Sequence, residues 1–226
     1  MPLLLVTILP SILIIMFFVY SDKFKEPRGE IIKVFFYGIL ITIPAYFLNT
    51  YIGDFFYANT RVSENLISSF LTAAPVEEGL KLSVLYYFVY KMKDFNEPMD
   101  GIVYGVTVSL GFATYENYDY VFRLSEEFGV DPYQMAVWRS YSAIPMHGLM
   151  GCIMGFYFGL YAFTAKKKYL VLCLLIPFII HGLYNFLPHP AHFMILGVVI
   201  VYSIALHSQF KKMQIIKKNE NEQKKI

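Results

Sequence analysis

Apolar residues fall along this chain in long runs separated by short polar stretches. Seven runs stand out, at residues 3–20, 32–51, 66–90, 101–122, 141–163, 170–187 and 193–206. A helix that spans a bilayer needs about 20 mostly apolar residues. The pattern therefore predicts an all-α, polytopic membrane helix bundle with about seven transmembrane helices. The last run is short and reads as a tilted or partial span. The first lacks the basic start and small-residue cleavage site of a signal peptide and is read as an anchor. Pro75 lies inside the third run, just before a charged cluster. Proline removes a helix hydrogen bond, so that run is predicted to break there, with Pro75 near the start of its second half.

Composition agrees with this picture. Of 226 residues, 57% are apolar and 16% charged, against roughly 25% charged in a soluble domain. A net charge of +2 offers no basic field for nucleic acid, and the apolar content excludes a disordered chain. Cys152 and Cys173 sit in apolar runs and read as neither a disulfide framework nor a zinc knuckle. The length holds one integral membrane domain, residues 1–206, followed by a polar, basic tail, residues 207–226, expected near anionic lipid.

Charge orients the bundle. Lys23, Lys25, Arg28 and Lys33 follow the first run, Lys91 and Lys93 the third, Lys166, Lys167 and Lys168 the fifth, and six lysines lie in the tail. Those 15 residues share one side, and only Arg61, Arg123 and Arg139 fall on the other. By the positive-inside rule the N-terminus faces out and the C-terminus faces the cytoplasm.

A charged side chain at mid-bilayer costs at least ~2.5–3.5 kcal/mol on the insertion scale. The runs nevertheless hold Glu77, Glu78, Lys81, Glu116, His147 and His181, with the amides Asn117 and Asn185. Such residues face the bundle interior and mark a functional site by default. Glu77 and Lys81, four apart, share a helix face. Glu78 points about 100° away round the helix; the pairing gives one carboxylate a counter-ion and leaves the other available, which suits a general base. A buried ion pair that only fixes packing does not need the second glutamate. Gly101, Gly105, Ser109 and Ala113 form a small-residue stripe for close helix packing, which leaves Glu116 unexplained. Gly151, Gly155 and Gly159 share a face with His147. His181 and Asn185 either aim donors at one oxyanion, or act as a metal ligand and its hydrogen-bonded support. At 1.5 Å per residue, Glu77 lies about 16 Å, and Glu116, His147 and His181 about 9 Å, from the outer ends of their runs. Four helices thus bring polar residues to similar depth, which predicts one buried site opening outward.

Three carboxylates and two histidines at one level suit activation of water. A buried Glu/Lys/His cluster also describes a proton-coupled transporter, although the two halves show no repeated hydropathy pattern. A non-catalytic membrane binder or immunity protein is a third reading. Among protease signatures, His-Glu-x-x-His, Gly-x-Gly-Asp and Gly-x-Ser-Gly are absent, so glutamate would carry the chemistry.

Four ordered motifs, namely Glu77-Glu78-x-x-Lys81, the stretch from Asp100 to Glu116-Asn117, His147 with its glycines, and His181-x-x-x-Asn185, together resemble the PrsW-type intramembrane proteases. The resemblance covers about half of the chain. It implies a place in the wider superfamily of CAAX-processing and bacteriocin-immunity membrane proteins, in which a histidine usually stands where Glu116 does. It implies a multi-pass protease of the bacterial cell membrane. Such a protease makes the first, extracytoplasmic-side cut in a single-pass anti-sigma factor, starting regulated proteolysis and a cell-envelope stress response. It further implies that Glu77, Glu78 and His181 are essential, that Glu116 and His147 complete the centre, and that Lys81, Asn117 and Asn185 support it. The wider superfamily favours glutamate and water with no cofactor. Zinc held by Glu77, Glu116, His147 and His181 is the alternative.

Overall fold

A computed structural model of the chain describes residues 2–59, 63–188 and 190–223. Arg61, Lys224 and Lys225 lie outside the described residues. The described elements are helical: α1 (Pro2–Ser21), α2 (Arg28–Leu40), α3 (Thr42–Asn59), α4 (Ala74–Tyr87), α5 (Pro98–Asp119), α6 (Pro132–Tyr141), α7 (Ala143–Thr164), α8 (Lys167–Phe186) and α9 (Ala191–Gln223), joined by shorter turns. Among the described residues, five stretches are long and apolar enough to cross a membrane: Pro2–Ser21, Arg28–Tyr57, Pro132–Thr164, Lys167–Phe186 and Ala191–Ile216. The protein is a polytopic helical membrane bundle.

Prolines explain where the runs divide. The second run is two helices that meet at Ile41. Pro44 has no N–H to offer the carbonyl of Leu40, so the helix breaks and restarts. The third run breaks as its proline predicts. A π-helical turn, Ile67–Ala73, ends where α4 begins, and Pro75 sits in the first turn of α4. The last run does not stop at Leu206. The helix continues to Gln223, and Phe210 and Gln214 are buried, so the first turns beyond residue 206 pack against the bundle.

The hub is α5, where every residue from Met99 to Thr114 is buried. It is not among the five apolar stretches, and its polar side chains between Asp100 and Thr114 are buried in protein. Helices α1, α2, α4 and α7 pack around it. The approach of α7 is backbone to backbone. A Cβ on Gly105 would strike Gly151 and Gly155, and one on Gly155 would strike Gly101 and Ile102. The predicted small-residue stripes are therefore the contact itself. Because successive helices alternate in direction, the start of α4, the end of α5, the start of α7 and the end of α8 gather at one end. The lysine-rich connections lie at the other.

Candidate active site

The break before α4 sets Glu77 and Glu78 in its first turns, with Lys81 one turn further on. All three are buried. Lys81 Nζ donates to Glu78 Oε1 at 2.7 Å and stands 3.6 Å from Glu77 Oε2. The spacing put Glu77 and Lys81 on one face; the structure keeps that contact and adds a shorter one to Glu78. Both i,i+3 and i,i+4 neighbours share a helix face, and here the closer partner is the i+3 one. Lys81 Nζ also lies 3.2 Å from His147 Nδ1 and 4.6 Å from the centroid of the Phe112 ring.

His181, near the end of α8, places Nδ1 2.9 Å from Glu78 Oε1, with Nε2 3.9 Å from Glu77 Oε2. A carboxylate at Nδ1 fixes the proton there and leaves the Nε2 lone pair free. His147, in the second turn of α7, has its Nε2 3.1 Å from Glu116 Oε2. Since the lysine ammonium can only donate, Nδ1 of His147 accepts and Nε2 carries the proton. The two imidazoles meet edge to face, centroids 5.4 Å apart. Glu77, Glu78, Lys81, Glu116, His147 and His181 thus come together from four helices, as their common depth predicted.

One participant escaped the sequence reading. Arg139, counted there among the outward charges, turns inward from α6. Its Nη2 donates to Glu116 Oε2 at 2.7 Å, its Nε donates to Asn117 Oδ1 at 2.8 Å, and its guanidinium lies 3.8 Å from the Tyr120 ring centroid. Asn117 is fully buried and spends its amide N–H on the carbonyl of Thr7 in α1. It orients Arg139 and does not reach the cluster itself. Asn185 lines the cavity but is exposed, while His181 is turned to the carboxylates.

Glu77, Glu116, His147 and His181 line a cavity of about 890 Å³, with Glu78 and Lys81 buried behind them. Polar groups line its walls, among them Asn49, Asn65, Ser69 and Arg123. Glu77 Oε2 and Glu78 Oε2 are buried with no hydrogen-bond partner. Glu77 Oε2 has only the Lys81 ammonium at 3.6 Å and Glu78 Oε2 no partner of its own, so a second cation would relieve part of their desolvation cost. Two donor sets, Glu77/Glu78/His181 and Glu77/Glu116/His147, each offer ligand atoms within 4.8 Å of one another. Two carboxylates and an imidazole with a free Nε2 match the three-ligand open site of catalytic zinc, so the residues present fit a metal.

A family model described as "PrsW family intramembrane metalloprotease" matches residues 26–207. A relative from Geobacillus kaustophilus, named Protease PrsW, is 36% identical over 181 residues, covering 79% of this chain and 76% of its own. A Clostridioides difficile protein of the same name is 35% identical over 210 residues, covering 90% of this chain and 86% of its own. One from Bacillus subtilis is 35% identical over 191 residues, with 80% and 79% covered. No solved structure matches.

Proposed function

The chain belongs to the PrsW family of intramembrane metalloproteases, and from that premise we propose that it makes the first, extracytoplasmic-side cut in a single-pass membrane anti-sigma factor, opening a cell-envelope stress response. It is a multi-pass bacterial membrane protease. The membership decides against the transporter and immunity readings. What supports the finer reading is the meeting of Glu77, Glu116, His147 and His181 in the lining of a cavity, with Glu78 buried behind them, at the end opposite the lysine-rich connections. The catalytic domain is taken as residues 1–206, with residues 207–226 a cytoplasmic end whose first turns lie on the bundle.

Of the two mechanistic alternatives, the metal-dependent one has the better support. An oxyanion hole made by His181 and Asn185 would need both side chains turned to one point, and His181 instead serves Glu78 and faces Glu77. Glu77, Glu78 and His181 are the side chains that would hold a divalent metal, which when bound supplies an activated water and polarises the scissile carbonyl. Lys81 compensates the charge of Glu78 and holds it against His181. Glu116, clamped by Arg139, lines the cavity and accepts the proton of the attacking water. His147 Nε2–H, now bonded to Glu116, turns to the developing oxyanion.

Purified protein in proteoliposomes, incubated with single-pass substrates, should yield product ends mapping near the extracytoplasmic end of the substrate helix. Stripping with chelator should abolish cleavage. Glu77→Gln should lower the rate about 100-fold or more and lower metal content, with insertion intact. Normal cleavage by chelator-stripped protein and by Glu77→Gln would overturn the assignment.

A further inference from the structure

At the opposite end of the bundle from the cavity, three acidic side chains converge from two elements. Asp22 and Glu26 belong to the connection between α1 and α2, and Asp100 opens α5. All three are buried, Asp22 at 2% exposure and Asp100 at 0%. One oxygen from each lies within 4.8 Å of the others. Leaving aside the lysines of the tail, none of the described ion pairs within 4.0 Å includes Asp22, Glu26 or Asp100. Lys25, beside them in sequence, spends its ammonium on the backbone carbonyls of Val19, Tyr20 and Asp22.

The protein fixes one oxygen of each carboxylate. Asp22 Oδ1 accepts from the Phe24 amide at 2.9 Å and from Gln214 Nε2 at 2.6 Å. Asp100 Oδ2 accepts from the amides of Asn96 and Glu97, at 2.7 and 2.8 Å, as half of a capping box. Glu26 Oε2 accepts from the Tyr104 hydroxyl. The other oxygens of the two aspartates, Asp22 Oδ2 and Asp100 Oδ1, are buried with no hydrogen-bond partner. The cap of α5 needs one acceptor oxygen and leaves the second unexplained.

We propose that Asp22, Glu26 and Asp100 form a second metal site, for a hard divalent cation of the Mg²⁺, Mn²⁺ or Ca²⁺ class, separate from the catalytic cavity. All-oxygen donors select such cations over zinc. Oxygens on opposite sides of Ca²⁺, each at 2.3–2.6 Å, are about 5 Å apart at most, so the observed spread brackets one ion. The buried hydrogen bonds to the other oxygens hold the carboxylates in place, as outer contacts do around metal ligands. Through Gln214, the site would pin α9 to the connection that follows α1. The rival is a proton shared between carboxyl groups: burial pushes Glu26 up to about 7 against the pull of the Tyr104 hydroxyl.

The test uses the full-length protein in detergent, stripped with EDTA, and reads thermal unfolding and bound Mn²⁺ by electron paramagnetic resonance. Any ligand that binds only the folded state raises its unfolding temperature with concentration. Mg²⁺ or Ca²⁺ alone should raise the midpoint in the wild type and equally in Glu77→Gln, whose lesion lies in the cavity. Glu26→Gln and Asp100→Asn, which keep the shape and the Tyr104 and capping contacts, should each weaken Mn²⁺ at least about 10-fold. A wild type with no midpoint shift and no bound Mn²⁺ overturns the proposal. So does a shift that survives in Glu26→Gln, or one that disappears in Glu77→Gln. If Asp100→Asn fails to fold, Glu26→Gln and the cavity variant still decide the matter.

Discussion

Arg139 touches none of the oxygens orphaned in the cluster, yet it sets the geometry of Glu116. Its Nε and Nη2 grip Asn117 and Glu116 together, and Tyr120 supports the flat face of the guanidinium. A lysine cannot reproduce that two-point grip. Arg139→Lys should therefore lower turnover roughly 10- to 100-fold, the range for contacts that orient catalytic ligands, with KM little changed and the fold intact by circular dichroism. A larger effect on KM than on kcat would make Arg139 a substrate-binding residue instead. The six charged and imidazole side chains of the cluster could be read from the sequence because each interrupts an apolar run, where ionised groups are costly. Arg139 could not, because it precedes such a run in a connection where charge is ordinary. Asp22, Glu26 and Asp100 were hidden for the same reason. The choice of Glu78 over Glu77 as the partner of Lys81 was hidden because spacing alone makes i+3 and i+4 equivalent.

Two kinds of helix feature position these residues. Glycine faces on α5 and α7 let the backbones touch, which brings Glu116 and His147 within hydrogen-bonding distance. Gly155→Val would drive methyl groups into the carbonyl of Gly101 and the Cα of Ile102. The neighbours are backbone and cannot rotate away, so the cost should reach the upper part of the ~1–3 kcal/mol typical of overpacking, or exceed it. At about 2–4 °C per kcal/mol for a chain of this size, the unfolding midpoint in detergent should fall by several degrees. An unchanged midpoint would mean that the α5–α7 contact is looser than the structure has it. The second feature is the irregular turns. A π-helical turn leads into α4, and another, Tyr120–Leu124, follows α5. Both border the cavity through Ser69, Tyr120 and Arg123. The stripes of small residues and the break at Pro75 were visible as spacing and as a missing N–H. The π turns were not, since a widened turn leaves no mark in hydrophobic periodicity. The continuation of α9 beyond Leu206 was obscured by its lysines, of which Lys211, Lys212 and Lys218 are exposed on a helix whose Phe210 and Gln214 still face the bundle.

For the molecule as a whole, the position of the cavity gains meaning from orientation. The candidate site gathers at the end where α4 and α7 begin, and the lysine-rich connections gather at the other. Each lysine or arginine near an anionic leaflet is worth ~1 kcal/mol, so an excess of 15 positive residues over 3 strongly favours holding that end in the cytoplasm. In that orientation the cavity would open to the extracytoplasmic side, and under the proposed function a single-pass substrate would present its external juxtamembrane segment to Glu116 and His147 before its helix is disturbed. Reporter fusions at positions 60 and 130 should read as external, and fusions at 95 and 167 as cytoplasmic. The paired positions matter, because a single fusion can itself reorient a helix, whereas four concordant readings fix alternate connections independently. Inverted readings at all four would turn the cavity toward the cytoplasm. The proposed first cut could then not be extracytoplasmic, although the geometry of the cluster would stand unchanged.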